Sequence, residues 1–524
     1  MKKLWHGGII YTMREEGEVV EAVVTDDATI IAIGDKKKLE QEYPIDEYIE
    51  LQGRTMIPGL VDSHIHLIGH GEMLNRLDLS MCTSMKEVME KVAEKVAQTP
   101  KNQWIVGEGW NENIFLDKKD FSLEEIDVIT NSHPIVLKRV CRHSLFVNRL
   151  GLQQAGITID TLSPKGGEIG QKDGELTGML YDTAQEKVLS LASVPTEAYL
   201  KEAVTLAIED MWKYGITGVH TEDLNYYGSA KLVHHTFQEV VEKGKKRFKL
   251  HLLVHHEVVD EMRDIESSHY IEMGPMKIFV DGSLGSRTAL LREPYADDTS
   301  KKGLALFTKD ELATLVHKAR TREMAIATHA IGDLAMEYVI DAIEQHGPVN
   351  NKRDRLIHCQ VLDGALVARM KNLQMVADIQ PTFLASDFPW VINRLGEERM
   401  TYSYAWRTLL DNGIACSGGS DSPIETANPF IGIYSAVARK SFHGEKDVVY
   451  GEQERLTVFE AVSLYTTGSA YASNKENVRG MIQVGYDADF TVIDLDVFGL
   501  KIKEIPFIEA VMTIVDGEVV YQRK

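Results

Sequence analysis

Short apolar runs alternate with amphipathic stretches through the middle of the chain, from residue 56 to residue 473. Runs such as "PIVLKRV", "KLHLLVHH", "MKIFVDG" and "AIATHAIG" have the length and the β-branched content of buried strands. Stretches such as 309–322 and 334–346 carry apolar residues at helical spacing. Repeated alternation over this length predicts an α/β fold built on a closed (β/α)8 TIM barrel.

Two parts of the chain depart from this alternation. The segment at about 69–200 separates the first predicted strand from the regular later series, so we expect a large insertion in the barrel there. Both ends, 1–55 and 474–524, consist of short β-rich pieces such as "EAVVTDD" and "DADFTVIDL", separated by Gly, Asp and charged turns. This shared texture predicts that the two ends meet and form one small β-sandwich domain.

Composition narrows the classes of partner and compartment. The 524 residues are 44% hydrophobic and 26% charged, which is typical of a globular protein, and the net charge of -22 argues against nucleic acid or an anionic membrane as partner. The chain contains no apolar run of about 18 residues, so we expect no membrane span. The amino terminus reaches Glu15 before any long apolar stretch, unlike a signal peptide. Four scattered cysteines without a CxxC pair favour a reducing, cytoplasmic location.

Five predicted strands end at, or just before, side chains that can bind a metal ion. The carboxyl ends of all strands in a parallel barrel lie at one face, so we expect these side chains to converge. His64 and His66 are two positions apart, which places both on one side of a strand within reach of a single cation. The complete set is His64, His66, Lys277, His329, His358 and Asp421.

Each of these residues also has an ordinary structural interpretation. His329 could be a core histidine, Lys277 a solvated lysine and Asp421 the cap of a following helix. Their occurrence in order at successive strand ends favours a divalent metal site instead. Imidazole and carboxylate groups suit zinc, iron, nickel or manganese, and the lack of converging cysteines argues against a purely structural zinc.

Seven motifs identify a resemblance to a known family. They are "PGLVDSHIHL", "KIFVDGSLGSRTA", "THAIGD", "IHCQVL", "IQPTFLASD", "GGSDSP" and "VGYDADFTVID". Together they resemble the amidohydrolase superfamily, in the amidohydrolase 3 branch of metal-dependent hydrolases that includes N-substituted formamide deformylases. The resemblance covers nearly the whole chain. It implies hydrolysis of a carbon–nitrogen bond other than a peptide bond in a small amide-like substrate, and a homodimer from family habit.

The resemblance also implies a two-metal site in which a lysine carboxylated on its amine (N6) bridges the ions. Zinc is the expected ion, with one or both positions filled. The branch usually has Glu immediately before the second-metal histidine, whereas this chain has Ile357, which questions how that histidine is supported. The implied ligands are His64, His66 and Asp421 for the first ion, His329 and His358 for the second, and Lys277 for the bridge.

The implied mechanism uses a metal ion to lower the pKa of a bound water toward about 7, so that hydroxide attacks the carbonyl carbon. Asp421 is expected to take the proton from the nucleophile and deliver it to the leaving nitrogen. For Trp110, a pocket wall and a core position stay open, and for Arg287 a carboxylate clamp and a structural ion pair. The candidate substrate contacts, from segments that match the branch, are Trp110, His143, Arg287 and Gln380.

Two other functions remain as alternatives. Deaminases of the same superfamily resemble a pattern with Glu three residues after the first late histidine, where this chain has Gly332 followed by Asp333. A non-catalytic metal-binding regulator is the second alternative, because some relatives are labelled as regulators of exoenzyme production. No helix-turn-helix or basic patch supports contact with nucleic acid. Turnover of amides would separate enzyme from regulator.

Overall fold

Eight parallel strands form a nearly closed barrel, in which each strand pairs with the next along the chain. The computed structural model describes residues 1–111, 115–117, 121–139, 144–164, 167–192, 196–440 and 448–524. The barrel confirms the predicted fold class. From first to eighth, the barrel strands are Leu60–Ile65, Ile216–Thr221, Lys249–His255, Ile271–Phe279, Ile326–Ala330, Asp354–His358, Met375–Ile379 and Ala415–Gly418.

Four of the eight barrel strands are buried along their whole length. Every residue of Ile216–Thr221, Lys249–His255, Asp354–His358 and Met375–Ile379 is buried. Strands of a parallel sheet are covered on both faces, which explains why they read as nearly continuous apolar runs in the sequence. The charged residues within these runs therefore lie inside the protein and need partners there.

Amphipathic helices connect the strands. Lys309–Arg320, for example, begins at a capping box made by Thr308 and Glu311 and buries Leu312 and Val316. Among the described residues, no helix combines the length and apolar character that crossing a bilayer requires. The described α-helices are Lys36–Glu42, Leu67–Asn75, Met85–Gln98, Leu123–Ile129, Arg149–Gln154, Glu186–Ala192, Glu197–Lys213, Ala230–Phe237, Lys309–Arg320, Asp333–His346, Gly364–Met370, Pro381–Asp387, Trp390–Leu395, Trp406–Asp411, Pro429–Ala438, Val458–Leu464 and Thr467–Ala472.

The two chain ends, predicted to meet in a small β-sandwich domain, form one eight-stranded sheet. Thr55–Pro58 pairs in parallel with Lys2–Tyr11 and antiparallel with Phe490–Ile493, so this ladder joins the two ends. Trp5 and Phe490, one from each end, pack edge to face in the core of the sheet. Its strands are Lys2–Tyr11, Val19–Asp26, Thr29–Gly34, Glu47–Glu50, Thr55–Pro58, Phe490–Ile493, Ala510–Val515 and Glu518–Gln522.

Residues Glu72–Tyr199 form a compact unit separate from the unit that contains the barrel and the end sheet, Met1–Gly71 with Leu200–Lys524. The smaller unit has its own apolar core, which includes Val88, Ile135 and Phe146. Its mixed sheet consists, in spatial order, of Gly167–Lys172, Glu175–Asp182, Ser144–Val147, Ile135–Arg139, Ile105–Trp110 and Leu77–Asp78.

A buried lysine links the barrel to the end sheet. Lys249 stands at the start of the third barrel strand, and its ammonium lies 2.6 Å from Asp487, 2.7 Å from Asp489 and 3.1 Å from Asp516. Burial acts to lower the pKa of Lys249, but these carboxylates outweigh it and raise that pKa. The lysine thus compensates buried negative charge that would otherwise be costly.

We expect Lys249→Met to lower the free energy of unfolding by about 3–5 kcal/mol, because it leaves buried carboxylates without their cation. Urea unfolding followed by intrinsic fluorescence measures the change. Lys38→Met is the matched control, since Lys38 is exposed and lies 3.9 Å from Glu42, and it should change stability by less than about 0.5 kcal/mol. Equal stability of the two variants would contradict a role for Lys249 in joining the sheets.

Candidate metal centre

The structure brings all six predicted ligands together at the carboxyl end of the barrel. His64 and His66 lie at the end of the first strand, Lys277 on the fourth, His329 on the fifth and His358 on the sixth. The sixth ligand, Asp421, follows the eighth strand.

The first three ligands have the spacing of a metal site. Asp421 Oδ1 lies 3.4 Å from His64 Nε2 and 3.3 Å from His66 Nε2. Tetrahedral coordination with bonds of about 2.0–2.1 Å separates neighbouring ligand atoms by about 3.3–3.4 Å. The ligand atoms of the three residues all lie within 4.8 Å of one another. The donor set therefore fits a divalent cation such as zinc.

The remaining ligands adjoin this cluster. Lys277 Nζ lies 3.2 Å from His64 Nε2, and the His358 ring lies 5.8 Å from the His64 ring, centroid to centroid. The His329 and His358 rings are 4.5 Å apart. Lys277 is completely buried, so its amine ends inside the cluster and not in solvent.

A hydrogen bond to one ring nitrogen orients each of three imidazoles. His66 Nδ1 lies 2.8 Å from the carbonyl oxygen of Glu222, and His329 Nε2 lies 3.1 Å from that of Gly282. His358 Nδ1 lies 2.7 Å from Oε1 of Gln380. Each acceptor holds a proton on the nitrogen that faces it and leaves the other nitrogen as a ligand. Gln380 thereby supplies the support for His358 that Ile357 cannot give.

Burial keeps most of the imidazoles neutral, which is the form that binds metal. It lowers the pKa of His64 and of His329 well below the ordinary value, and that of His358 to about 4. Burial acts in the same direction on His66, but the hydrogen bond to Asp421 and the nearby carboxylates raise its pKa to about 9. A cation at this position would therefore displace a proton from His66.

Two of the ligands sit on strained backbone. His358 has a φ of 79° and Asp421 a φ of 57°, both in the left-handed region that side chains other than Gly and Asn rarely adopt. Such residues cost about 1–3 kcal/mol each and persist where surrounding contacts fix them. Each residue lies where the chain leaves a barrel strand, and the unusual backbone conformation occurs at the positions where the ligands come together.

A buried ion pair joins the sixth strand, which carries His358, to the seventh strand. Arg355, three residues before His358, contacts the carboxylate of Asp378 and the carbonyl of Ser63, and its Nη1 lies 3.0 Å from His220 Nδ1. The Ser63 hydroxyl donates to Asp378 at 2.6 Å. The network ties the first, second, sixth and seventh strands to one another, and gives His220 a supporting role.

The comparisons with known proteins decide the family. A model of the amidohydrolase family matches residues 47–521. The chain belongs to this family. Family membership confirms the predicted resemblance and the predicted class, a hydrolase acting on carbon–nitrogen bonds, and supports a divalent metal as cofactor.

Individual relatives match this chain over nearly its full length. YtcJ of Bacillus subtilis (strain 168) is 48% identical over 528 residues, covering 100% of both chains. The N-substituted formamide deformylase of Arthrobacter pascens is 26% identical over 537 residues, covering 98% of this chain and 97% of its own. The crystal structure of an uncharacterized metal-dependent hydrolase from Pyrococcus furiosus is 26% identical, with a TM-score of 0.78 and coverage of 95% and 100%.

The predicted substrate contacts of this amidohydrolase are spread over both units. Trp110 is buried in the core of the smaller unit, where its indole N–H lies 3.2 Å from the Leu137 carbonyl. Arg287 forms a two-pronged ion pair with Asp297 at 3.0 and 2.9 Å, the structural pairing that the sequence left open. His143 lies outside the described residues. A role in substrate binding stays a prediction for each, and for Gln380.

Four residues around the ligands were not predicted from the sequence. Asp62, Glu222, Arg355 and Asp378 are all buried and belong to the surroundings of the ligands. A usable signal was the presence of charged residues within an apolar strand, as in "DRLIH" and "MVADI", because such a charge needs a partner inside the barrel. For Glu222 the signal was its place directly after the second strand, in "HTED".

We expect Gln380→Leu to weaken metal binding by about 10–100-fold, since His358 loses the acceptor that fixes its proton. Competition with a chelating dye, read separately for each ion bound, measures this loss. Gln374→Leu serves as control because Gln374 is exposed and lies at the opposite end of the same barrel strand, Met375–Ile379. Unchanged affinity in Gln380→Leu would show that the amide does not orient His358.

Proposed function

We propose that this amidohydrolase is a two-metal hydrolase of a small, non-peptide amide, with Lys277 carboxylated as the bridge. The observation that carries the proposal is the spacing of Asp421 Oδ1 from both imidazoles of the HxH pair, which fits one tetrahedral cation. His329 and His358 would hold the second ion. Zinc suits this donor set of imidazole and carboxylate.

The surroundings of Lys277 support its carboxylation. Burial lowers the pKa of Lys277 to about 8, although Glu222, Asp421 and Asp378 act against this shift. A neutral amine attacks carbon dioxide, forms one N–C bond and releases one proton. The product carries two carboxylate oxygens where the free amine offers a single nitrogen. It would let one side chain contact both ions.

Asp421 is the residue that would move the proton. Bound ions would lower the pKa of water toward about 7 and polarise the substrate carbonyl. Oδ1 of Asp421 faces the two imidazoles, which leaves Oδ2 to accept a proton from the attacking water and deliver it to the departing nitrogen. Asp421 is buried, so its carboxylate lies beside the candidate ligands and away from the protein surface.

The loop geometry at Gly332 supports hydrolysis over deamination. Superfamily deaminases resemble a pattern with Glu at this position, but a Cβ on Gly332 would lie 2.0 Å from the carbonyl oxygen of Leu290. No side chain fits there without a shift of the backbone. Asp333, the next residue, accepts hydrogen bonds from the amides of Arg292 and Leu334 and so holds the loop.

We expect Asp421→Asn to lower kcat by about 10²–10⁴-fold, because the amide cannot transfer the proton. The measurement is hydrolysis of a panel of small amides, combined with the metal content by elemental analysis. Metal should fall far less than turnover, since imidazole ligands remain. Asp411→Asn, at an exposed carboxylate, provides the control. Near-normal turnover by Asp421→Asn would exclude this role.

We expect protein incubated with ¹³C-bicarbonate to show one carbamate carbon by NMR, and Lys277→Met to lack it. The same variant should bind fewer ions than the parent protein, because the bridge between the sites is gone. The other lysines remain present, so they serve as an internal control for non-specific reaction. A carbamate signal that persists in Lys277→Met would contradict the assignment.

A further inference from the structure

The end of the second barrel strand is hydrogen-bonded to the turn that follows the HxH motif. The Leu67 amide donates to Thr221 Oγ1 at 2.9 Å, and the Ile68 amide donates to Asp223 Oδ2 at 3.3 Å. Thr221 and Asp223 also bond to each other at 2.5 Å. These bonds fix the residue between them, Glu222, beside the metal ligands.

Glu222 meets His66 at the ring nitrogen that faces away from Asp421. Its carbonyl oxygen lies 2.8 Å from His66 Nδ1, and its carboxylate Oε2 lies 3.9 Å from the same nitrogen. The side chain is completely buried. His66 is therefore held between two carboxylates, with Asp421 Oδ1 at Nε2 and Glu222 behind Nδ1.

Tyr226 holds the Glu222 carboxylate in place. Its hydroxyl donates to Glu222 Oε2 at 2.5 Å, and its ring stands edge to face against the His66 ring, 5.9 Å between centroids. The other oxygen, Oε1, is buried without a hydrogen-bond partner among the described residues. A buried carboxylate with a free oxygen is costly unless positive charge compensates it.

We propose that Glu222 is a positioning residue for the first metal ion: it orients His66 through its carbonyl and supplies compensating negative charge through its carboxylate, which Tyr226 holds. This inference rests on the proposed metal-binding function. A carboxylate behind a ligating imidazole raises the basicity of that ligand, and such partners affect metal affinity strongly. Direct contact of Oε1 with substrate is disfavoured because that atom is buried.

The test compares Glu222→Gln, Tyr226→Phe and Glu257→Gln with the parent protein. Glu222→Gln removes the charge but keeps an oxygen that can accept from Tyr226. Glu257 follows the third barrel strand at the same end of the barrel, and its side chain is 62% exposed, so it is the matched control. Metal-free protein is titrated with zinc against a chelator, and the absorption spectrum is recorded after loading with cobalt.

We expect Glu222→Gln to bind one of the two ions about 10–100-fold more weakly, with an altered cobalt spectrum. Tyr226→Phe should shift affinity in the same direction by a smaller factor, and Glu257→Gln should match the parent. The unfolding midpoint of the metal-free protein should not fall in Glu222→Gln, since the substitution relieves the desolvation of a buried carboxylate while Asp421 still contacts His66.

Parent affinity in both Glu222→Gln and Tyr226→Phe overturns the inference. So does a lowered metal-free unfolding midpoint with unchanged affinity, which would assign Glu222 a structural role alone. If Glu222→Gln fails to fold, the affinity of Tyr226→Phe decides by itself. A parent protein that binds no zinc contradicts the proposed function instead, which keeps the two failures distinct.

Discussion

The join between the first and eighth barrel strands is the constraint on which the metal centre depends. These strands do not pair directly in the ladder, but the Asp62 carboxylate accepts from the Ser420 amide across the gap and from the His64 amide on its own strand. The Asp421 amide donates to the His64 carbonyl at 2.7 Å. A Cβ on Gly419 would lie 2.5 Å from the His64 nitrogen, so only glycine allows this approach. The contacts that close the barrel therefore also position His64 and Asp421.

The polar layer beneath the ligands shows what this arrangement costs. Arg355 and Asp378 are both fully buried, and removing two charges from water is expensive even when they pair. A protein in which well-packed apolar residues replace such a pair is often as stable. What the pair adds is position, because Arg355 also contacts the carbonyl of Ser63, the neighbour of His64. The layer ties the strand of the HxH pair to that of His358.

The sequence predicted the barrel, a small β-sandwich domain from the two ends and six candidate ligands at strand ends, because each depends on local pattern: alternating elements and side chains at strand ends. It did not predict how the ligands are held. Gln380 orients His358 from the next strand, and Arg355 reaches Ser63 across 292 residues of chain. Such contacts depend on how strands are ordered in space, which hydrophobic period does not encode. The same limit applies to Arg287, because the sequence pattern does not show that its guanidinium pairs with Asp297.

Burial of the side chains explains why these ligands suit a metal and why burying them without a metal costs free energy. Desolvation keeps His64, His329 and His358 neutral, with free lone pairs, and lowers the pKa of the Lys277 amine. The same desolvation leaves His64 Nδ1 buried without a partner among the described residues. Because cations bind the folded arrangement and not the unfolded chain, their binding energy offsets this cost. Stability and ligand competence in this centre therefore have one physical origin, the exclusion of water from the barrel end.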